Sequence, residues 1–260
     1  MKVGYANRMT ATRKRRRKNR LPKKNKSWVR RLTAGILRIL LGLIIISFLL
    51  VLTLRWINPP TSMMMTIQRC EAAIQHRKDF RIDYRWVNWE QIALHLPLAI
   101  IASEDQKFPI HHGFDLEAIT DAVKTRMNGG RLRGASTITQ QVAKNLFLWP
   151  GKSLSRKGIE AYFTALIEIF WSKRRVLEVY MNIAEFGDGI FGIEAACQRY
   201  FGKPAGNIHL WEAARLAAVL PGPKTMNPKH PSAYVYKRAQ WIQRQIDQMG
   251  GEQVLDKIKS

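Results

Sequence analysis

Two apolar patterns run along the chain, and they predict different things. From Ile36 to Leu54 the residues ILRILLGLIIISFLLVLTL are apolar almost without interruption, with Arg38 their only charge. As a helix rising 1.5 Å per residue this stretch reaches about 28 Å, close to the hydrocarbon thickness of a bilayer. Beyond Trp86 the apolar positions instead recur at three and four. Leu116, Ile119, Val123 and Met127 form one such set; Ile138, Val142 and Leu146 form another; Ile159, Phe163, Leu166 and Phe170 form a third. Breakers separate them at Gly129-Gly130, Trp149-Pro150-Gly151, Gly187-Asp188-Gly189, Gly202-Lys203-Pro204 and Pro221-Gly222-Pro223. Met63 to Ile82 is more weakly patterned. No run alternates as a strand would between Trp86 and Lys257, so a mostly α domain of about seven helices is predicted.

Charge sharpens the first pattern. The 260 residues carry a net charge of +24, and 14 of the 43 Lys and Arg lie between Met1 and Arg31, with no acid among them. The other 229 residues are left with only +10. A basic run ahead of an apolar span, with Trp28 and Trp56 at its edges, reads as a membrane anchor with its tail inside. A cleaved signal peptide fits less well, because the tail and the apolar run are long and no small-residue cleavage site follows Leu54. The expected organisation is a cytoplasmic tail at 1–34, a transmembrane helix at 35–57 and an outer domain at 58–260. The tail's charge is then topological, and no nucleic-acid partner is expected. Cys70 and Cys197 are too few for a disulfide scaffold and lack zinc-site spacing.

Three segments could carry chemistry. Glu104 and Asp105 end an apolar helical segment and cannot both point the same way. One on the apolar side would have a raised pKa suited to acid–base work; the plainer reading is two solvated acids at a helix end. Phe108, His111 and Gly113 follow closely. In the GASTITQQVAKN block, Thr137 and Gln140 have capping-box spacing, and Gln140, Gln141 and Lys144 should project from a polar face. That face suits sugar hydroxyls and phosphate, or simply solvent. Lys152, Arg156 and Lys157 crowd a helix start, which favours a bound anion, while Arg156 and Glu160 could form an ordinary i,i+4 pair. Glu168, two turns on, competes with Glu160 for any role.

Taken in order, these blocks resemble glycosyltransferase family 51, the peptidoglycan polymerases. They are Glu104-Asp105-x-x-Phe108-x-x-His111-x-Gly113, GASTITQQVAKN, and Arg156-Lys157-x-x-Glu160. Lys173-x-x-Val176-Leu177-Glu178-x-Tyr180-Met181-Asn182 and Gly192-Ile193-x-Ala195-Ala196 with Tyr200-Phe201-Gly202-Lys203 complete the set. The resemblance covers about Leu96 to Pro228, and one departure is Lys152, where some members have Arg.

The resemblance implies a mainly α, lysozyme-like glycosyltransferase domain with a small membrane-associated jaw, behind one transmembrane helix. It implies a bacterial inner-membrane protein, N-terminus cytoplasmic and catalytic domain periplasmic. Its substrates would be lipid II and the growing glycan chain, joined by an inverting β-1,4 transfer that releases undecaprenyl diphosphate. Membrane lipid would support it, and other cell-wall or division proteins would be its neighbours. Glu104 would be the general base and Glu160 the second acid, near the leaving diphosphate. Phe108, His111, Gln140, Gln141, Lys144, Asn145, Lys152, Arg156 and Lys157 would bind substrate. No cofactor or metal site is expected, although Mg²⁺ or Mn²⁺ assists some members. A lysozyme-like glycan-cleaving enzyme is the alternative; a membrane-tethered nucleic-acid binder and a non-enzymatic scaffold fit fewer residues.

Overall fold

The computed structural model describes residues 1, 26–127, 129–130 and 136–258. Most of the basic tail predicted at 1–34 lies outside the described residues, as do Gly134 and Ala135 of the GASTITQQVAKN block. The chain divides into two compact units, 1–46 and 47–260.

The first helix, α1 (Lys26–Thr53), starts earlier and ends sooner than the predicted span, because the lone Gly35 does not interrupt it and the chain turns at 54–56 ahead of Pro59-Pro60. Among the described residues it is the only helix long and apolar enough to cross a membrane, over Arg30–Thr53. Its last turns belong to the second unit. Val51 is fully buried and its carbonyl accepts from the Trp171 indole at 2.8 Å, while Phe48 meets Phe170 edge-on at 5.0 Å. Arg175 then gathers the exit of the helix, donating to the carbonyls of Leu54 (3.1 Å) and Ile57 (3.0 Å) and to Asn58 Oδ1 (2.9 Å).

Ser62 caps α2 (Met63–Ile74) through a bond from the Met65 amide. A three-stranded sheet follows, of β1 (Asp83–Tyr84), β2 (Glu185–Gly187) and β3 (Ile190–Phe191). The pair β2–β3 is an antiparallel hairpin, and β1 runs parallel to β3. Two of these strands lie beyond Trp86, where no alternation marks them, in a domain that is mainly helical as expected. Strands of two or three residues are too short to show alternation, and Gly187-Asp188-Gly189 is a hairpin turn rather than a break between helices.

The core is built on α3 (His95–Glu104), in which Leu96 to Ala102 are all buried. Then come α4 (Leu116–Met127), α5 (Ile138–Phe147), α6 (Leu154–Phe170), α7 (Lys173–Ile183), α8 (Ile193–Phe201), α9 (Leu210–Val219), α10 (Ala233–Gln248) and the short α11 (Gln253–Asp256). That is nine helices after Trp86 among the described residues, against about seven expected. A helix buried all round, such as α3, has no stripe to detect. α9 and α10 pack on α3, while α5 sits between α6 and α7.

Neither of two predicted apolar stripes is fully buried, although Phe163, Leu166 and Phe170 of the second pack against the core. Leu116 and Met127 of α4 are 72% and 80% exposed. In α6 the buried face is Arg156, Glu160, Thr164 and Ile167, and the Ile159–Phe163–Leu166–Phe170 stripe is only partly covered. Phe163 stacks on Phe147 at 4.4 Å. α6 thus turns a charged face inward, towards α5.

The Lys173–Asn182 block is structural at two of its polar positions. Asn182 is fully buried and exchanges two bonds with Val87, and Glu178 accepts from the Trp89 amide at 2.8 Å. These bonds tie the 86–91 segment to α7. Gly192 (φ +85°) lies so close that a Cβ there would sit 2.6 Å from the Asn182 carbonyl oxygen.

Candidate active site

The adjacent acids at the end of α3 are separated by their partners. Asp105 is buried, and its carboxylate accepts from His111 Nε2 (2.9 Å) and from the Ile138 amide (2.9 Å) at the start of α5. It is used up in fixing a loop and a helix N-terminus. Glu104 leaves α3 in the other direction and lines a hollow of about 330 Å³. Gln141 Nε2 donates to its Oε2 at 3.0 Å, and the Tyr180 hydroxyl donates to Gln141 Oε1 at 3.2 Å. The phenol therefore fixes the amide so that its NH₂ faces the carboxylate. Burial pushes the Glu104 carboxyl above its ordinary range, opposed by the Gln141 bond and by Arg238 and Lys144.

Lys144 lies one turn along α5 from Gln141. Burial pulls its ammonium below the usual lysine value; Glu160 opposes this, Arg156 adds to it, and Glu104 opposes it. One ammonium is thus within the fields of both acids. It makes no hydrogen bond or ion pair among the described residues. With Gln141, Asn145, Tyr180, Glu185 and Met64 it lines a second hollow of about 150 Å³.

The third group is the start of α6, where Ser153 caps the helix by accepting from the Arg156 amide at 3.3 Å. Glu160, almost fully buried, accepts from Arg156 Nη1 at 2.9 Å and from Lys157 Nζ at 2.5 Å. Two cations on one buried carboxylate make an oriented, net positive group at a helix N-terminus, the place where an anion is best received. Glu168, the competitor, accepts from Thr139 (2.5 Å) and Lys173 (3.0 Å) and is a packing tie.

The structure therefore brings Glu104, Gln141, Lys144, Arg156, Lys157 and Glu160 together, with Asn145 at the edge. It leaves three predicted residues out of the cleft. Phe108 is fully buried in the core, with Lys173 Nζ 4.6 Å from its ring centre. His111 is spent on Asp105. Gln140 is buried and closes the capping box, accepting from the Thr137 amide at 3.0 Å, so it holds the loop and does not project. Lys152 is exposed and makes no pair among the described residues. A separate hollow of about 820 Å³, lined by His76–Arg81, Asp83, Asp188–Ile190 and Arg199, contains none of these side chains.

Over residues 72–247 the sequence matches the family described as Transglycosylase. The chain belongs to that family. It is similar to proteins called biosynthetic peptidoglycan transglycosylase over most of their length. One from Xylella fastidiosa is 51% identical over 229 residues, 88% of this chain and 93% of that one. Another, from Xanthomonas oryzae pv. oryzae, is 52% identical over 205 residues, 79% and 84% of the two chains. A third, from Xanthomonas axonopodis pv. citri, is 49% identical over 230 residues, 88% and 92%.

In this transglycosylase, sequence reasoning missed two residues that touch the site. Tyr180 lay in a quoted block, and its spacing from Glu178 and Asn182 gave no sign that its hydroxyl reaches Gln141. Arg238 of α10 comes within 3.9 Å of Glu104 Oε1 from beyond the stretch that carried the resemblance. No local signal could have found it, because 134 positions separate the two. Cys70 and Cys197 are unpaired, the first exposed and the second buried.

Proposed function

We propose that the chain polymerises lipid II into β-1,4-linked glycan, with Glu104 as the base and the α5–α6 cations receiving the diphosphate. The observation that carries this is Lys144, a largely buried, unpaired ammonium within the fields of two carboxylates held in different surroundings. Glu104, with one oxygen bonded to Gln141 and a raised pKa, takes the proton from the acceptor 4-hydroxyl. That oxygen attacks the donor's anomeric carbon, and the bond to the diphosphate breaks from the opposite face, inverting the α linkage to β. The electron pair leaves with undecaprenyl diphosphate. Lys144, Arg156 and Lys157 supply the preorganised positive charge for it, and Glu160 holds two of them in position. Gln141 and Asn145 remain for sugar or phosphate oxygens, and the exposed Lys152 for a phosphate approaching the site. A hydrolase acting on glycan would find no use for this cation cluster, since its substrate has no diphosphate.

No cluster of three or more His, Cys, Asp or Glu among the described residues could cage a metal. A stimulating Mg²⁺ or Mn²⁺ would be held largely by the substrate's phosphates. We take residues 1–34 as cytoplasmic, 35–57 as the single membrane crossing of the inner membrane and 58–260 as periplasmic. Exposed Leu154, Ile159, Tyr162 and Ile169 of α6, the helix that touches the end of α1, support a catalytic domain seated on the bilayer, where both lipid-linked substrates reside. Cell-wall or division proteins as neighbours remain an expectation from the family.

The test is incubation of the purified full chain with labelled lipid II in detergent. Glycan strands should form despite penicillin and be lost in Glu104→Gln. Shortening of pre-formed glycan without polymer from lipid II would favour the cleaving enzyme instead.

A further inference from the structure

We propose that Arg238 is a positioning residue for the base: from α10 it holds the free edge of the Glu104 carboxylate towards the acceptor. This rests on Glu104 acting as proposed above. The guanidinium is anchored on α3 itself, where Nη2 donates to the Ser103 carbonyl at 3.4 Å. Its Nη2 lies 3.9 Å from Glu104 Oε1, the oxygen that Gln141 does not hold. That distance is too long for a hydrogen bond, so Oε1 keeps its lone pairs for a substrate proton while feeling the charge. One guanidinium nitrogen thus faces both the Ser103 carbonyl and the carboxylate, and its charge, which Lys could also supply, is what Glu104 feels. Arg238 Nε is buried and without a partner, which costs stability that an apolar residue at this core-facing position would not. Gln106, two residues past Glu104, bonds to Gln245 of α10 at 3.0 Å, so α10 grips the end of α3 at a second point.

Other charged or titratable groups approach Glu104 from several elements. α5 offers Lys144 and α7 offers Tyr180, whose hydroxyl is raised by burial and by the Glu104 and Asp105 charges. On α9, Arg215 lies over Phe201 and Trp211, and Glu212 pairs with Lys203. Asp105, Lys107, Asp115, Glu117 and Asp121 share its hollow; Asp105 is bonded to His111, and Lys107 pairs with Glu117. Arg238 and Lys144 are therefore the cations that keep a buried carboxylate ionisable, and Arg238 is the one that comes within 4 Å of its free oxygen.

The experiment measures kcat/KM for lipid II against pH in the full chain, Arg238→Gln and Arg238→Lys, with melting temperatures recorded alongside. Gln carries no charge and ends two bonds short of Nη2, so it also gives up the bond to Ser103, a loss that the melting temperature records. Its acid limb should move to higher pH by about one unit, so the rate falls roughly tenfold below the limb and recovers within about threefold on the alkaline plateau. Lys should restore the native limb. If Gln proves too unstable to assay, Arg238→Met replaces it with the same expectation. A limb that stays in place in the uncharged variant, or a Lys variant displaced as far as Gln, overturns the proposal. A native chain that makes no glycan, or an active Glu104→Gln, would strike the functional reading itself and is told apart by those two controls.

Discussion

Lys144→Met separates function from stability most cleanly. Methionine keeps the length of the apolar stem and removes the charge. In the cleft, one charge-assisted contact to a diphosphate oxygen is worth about 1.5–3 kcal/mol, or roughly 10- to 150-fold in kcat/KM. The loss should be greatest at low pH, because Lys144 also helps hold down the raised pKa of Glu104. Stability should move the other way. Burial lowers the Lys144 pKa in the folded chain, so the unfolded chain binds that proton more tightly. Stability therefore rises with pH between the lowered folded value and the ordinary value of about 10.4, and at neutral pH the charged ammonium is a burden on the fold. Removing it should leave the melting temperature unchanged or raise it by a few degrees, given about 2–4 °C per kcal/mol for a domain of this size. The assay is lipid II polymerisation with thermal unfolding of the same preparation. A native rate would show that Lys144 does not receive the diphosphate, and a melting temperature lower by more than about 5 °C would show that it is a structural tie.

The neighbouring acids should divide along the same line. Glu104→Gln should lose about 10²- to 10⁴-fold in rate with little change in melting temperature, as read by polymerisation and unfolding together. Asp105→Asn should mainly destabilise, since the carboxylate it weakens joins His111 to the start of α5; an inactive but fully stable Asp105→Asn would reverse the assignment. Asn182→Ala should be among the most damaging substitutions outside the cleft, leaving the Val87 amide and carbonyl unpaired at about 1–3 kcal/mol for each unsatisfied group. A melting temperature within about 2 °C of native would show that this tie is dispensable.

Periodicity sufficed for α5 because Ile138, Val142 and Leu146 are apolar and do face the core. In α6 it found only part of what is covered, since Phe163, Leu166 and Phe170 do pack on the core but the most buried face is the charged one. The apolar stripe of α6 partly meets Phe147 and the end of α1, while its charged side is buried against α5. The three strands escaped for a different reason: they are too short to repeat.

The sequence by itself determined the basic tail, the apolar span, the helical class and the ordered blocks that carry the family resemblance, because each depends on residues near one another in the chain. Which acid is free was a tertiary matter. Glu104 and Asp105 are alike in the chain, and only His111, Ile138 and Gln141, arriving from elsewhere, distinguish them. Phe108, His111 and Gln140 belong to recognisable blocks, yet packing assigned them to support. Tyr180 and Arg238 entered the site because α7 and α10 close around the end of α3. Local pattern records backbone preference and amphipathicity; the selection of one oxygen of one carboxylate requires side chains far apart in sequence to meet at a few ångströms, and only the folded chain brings them there.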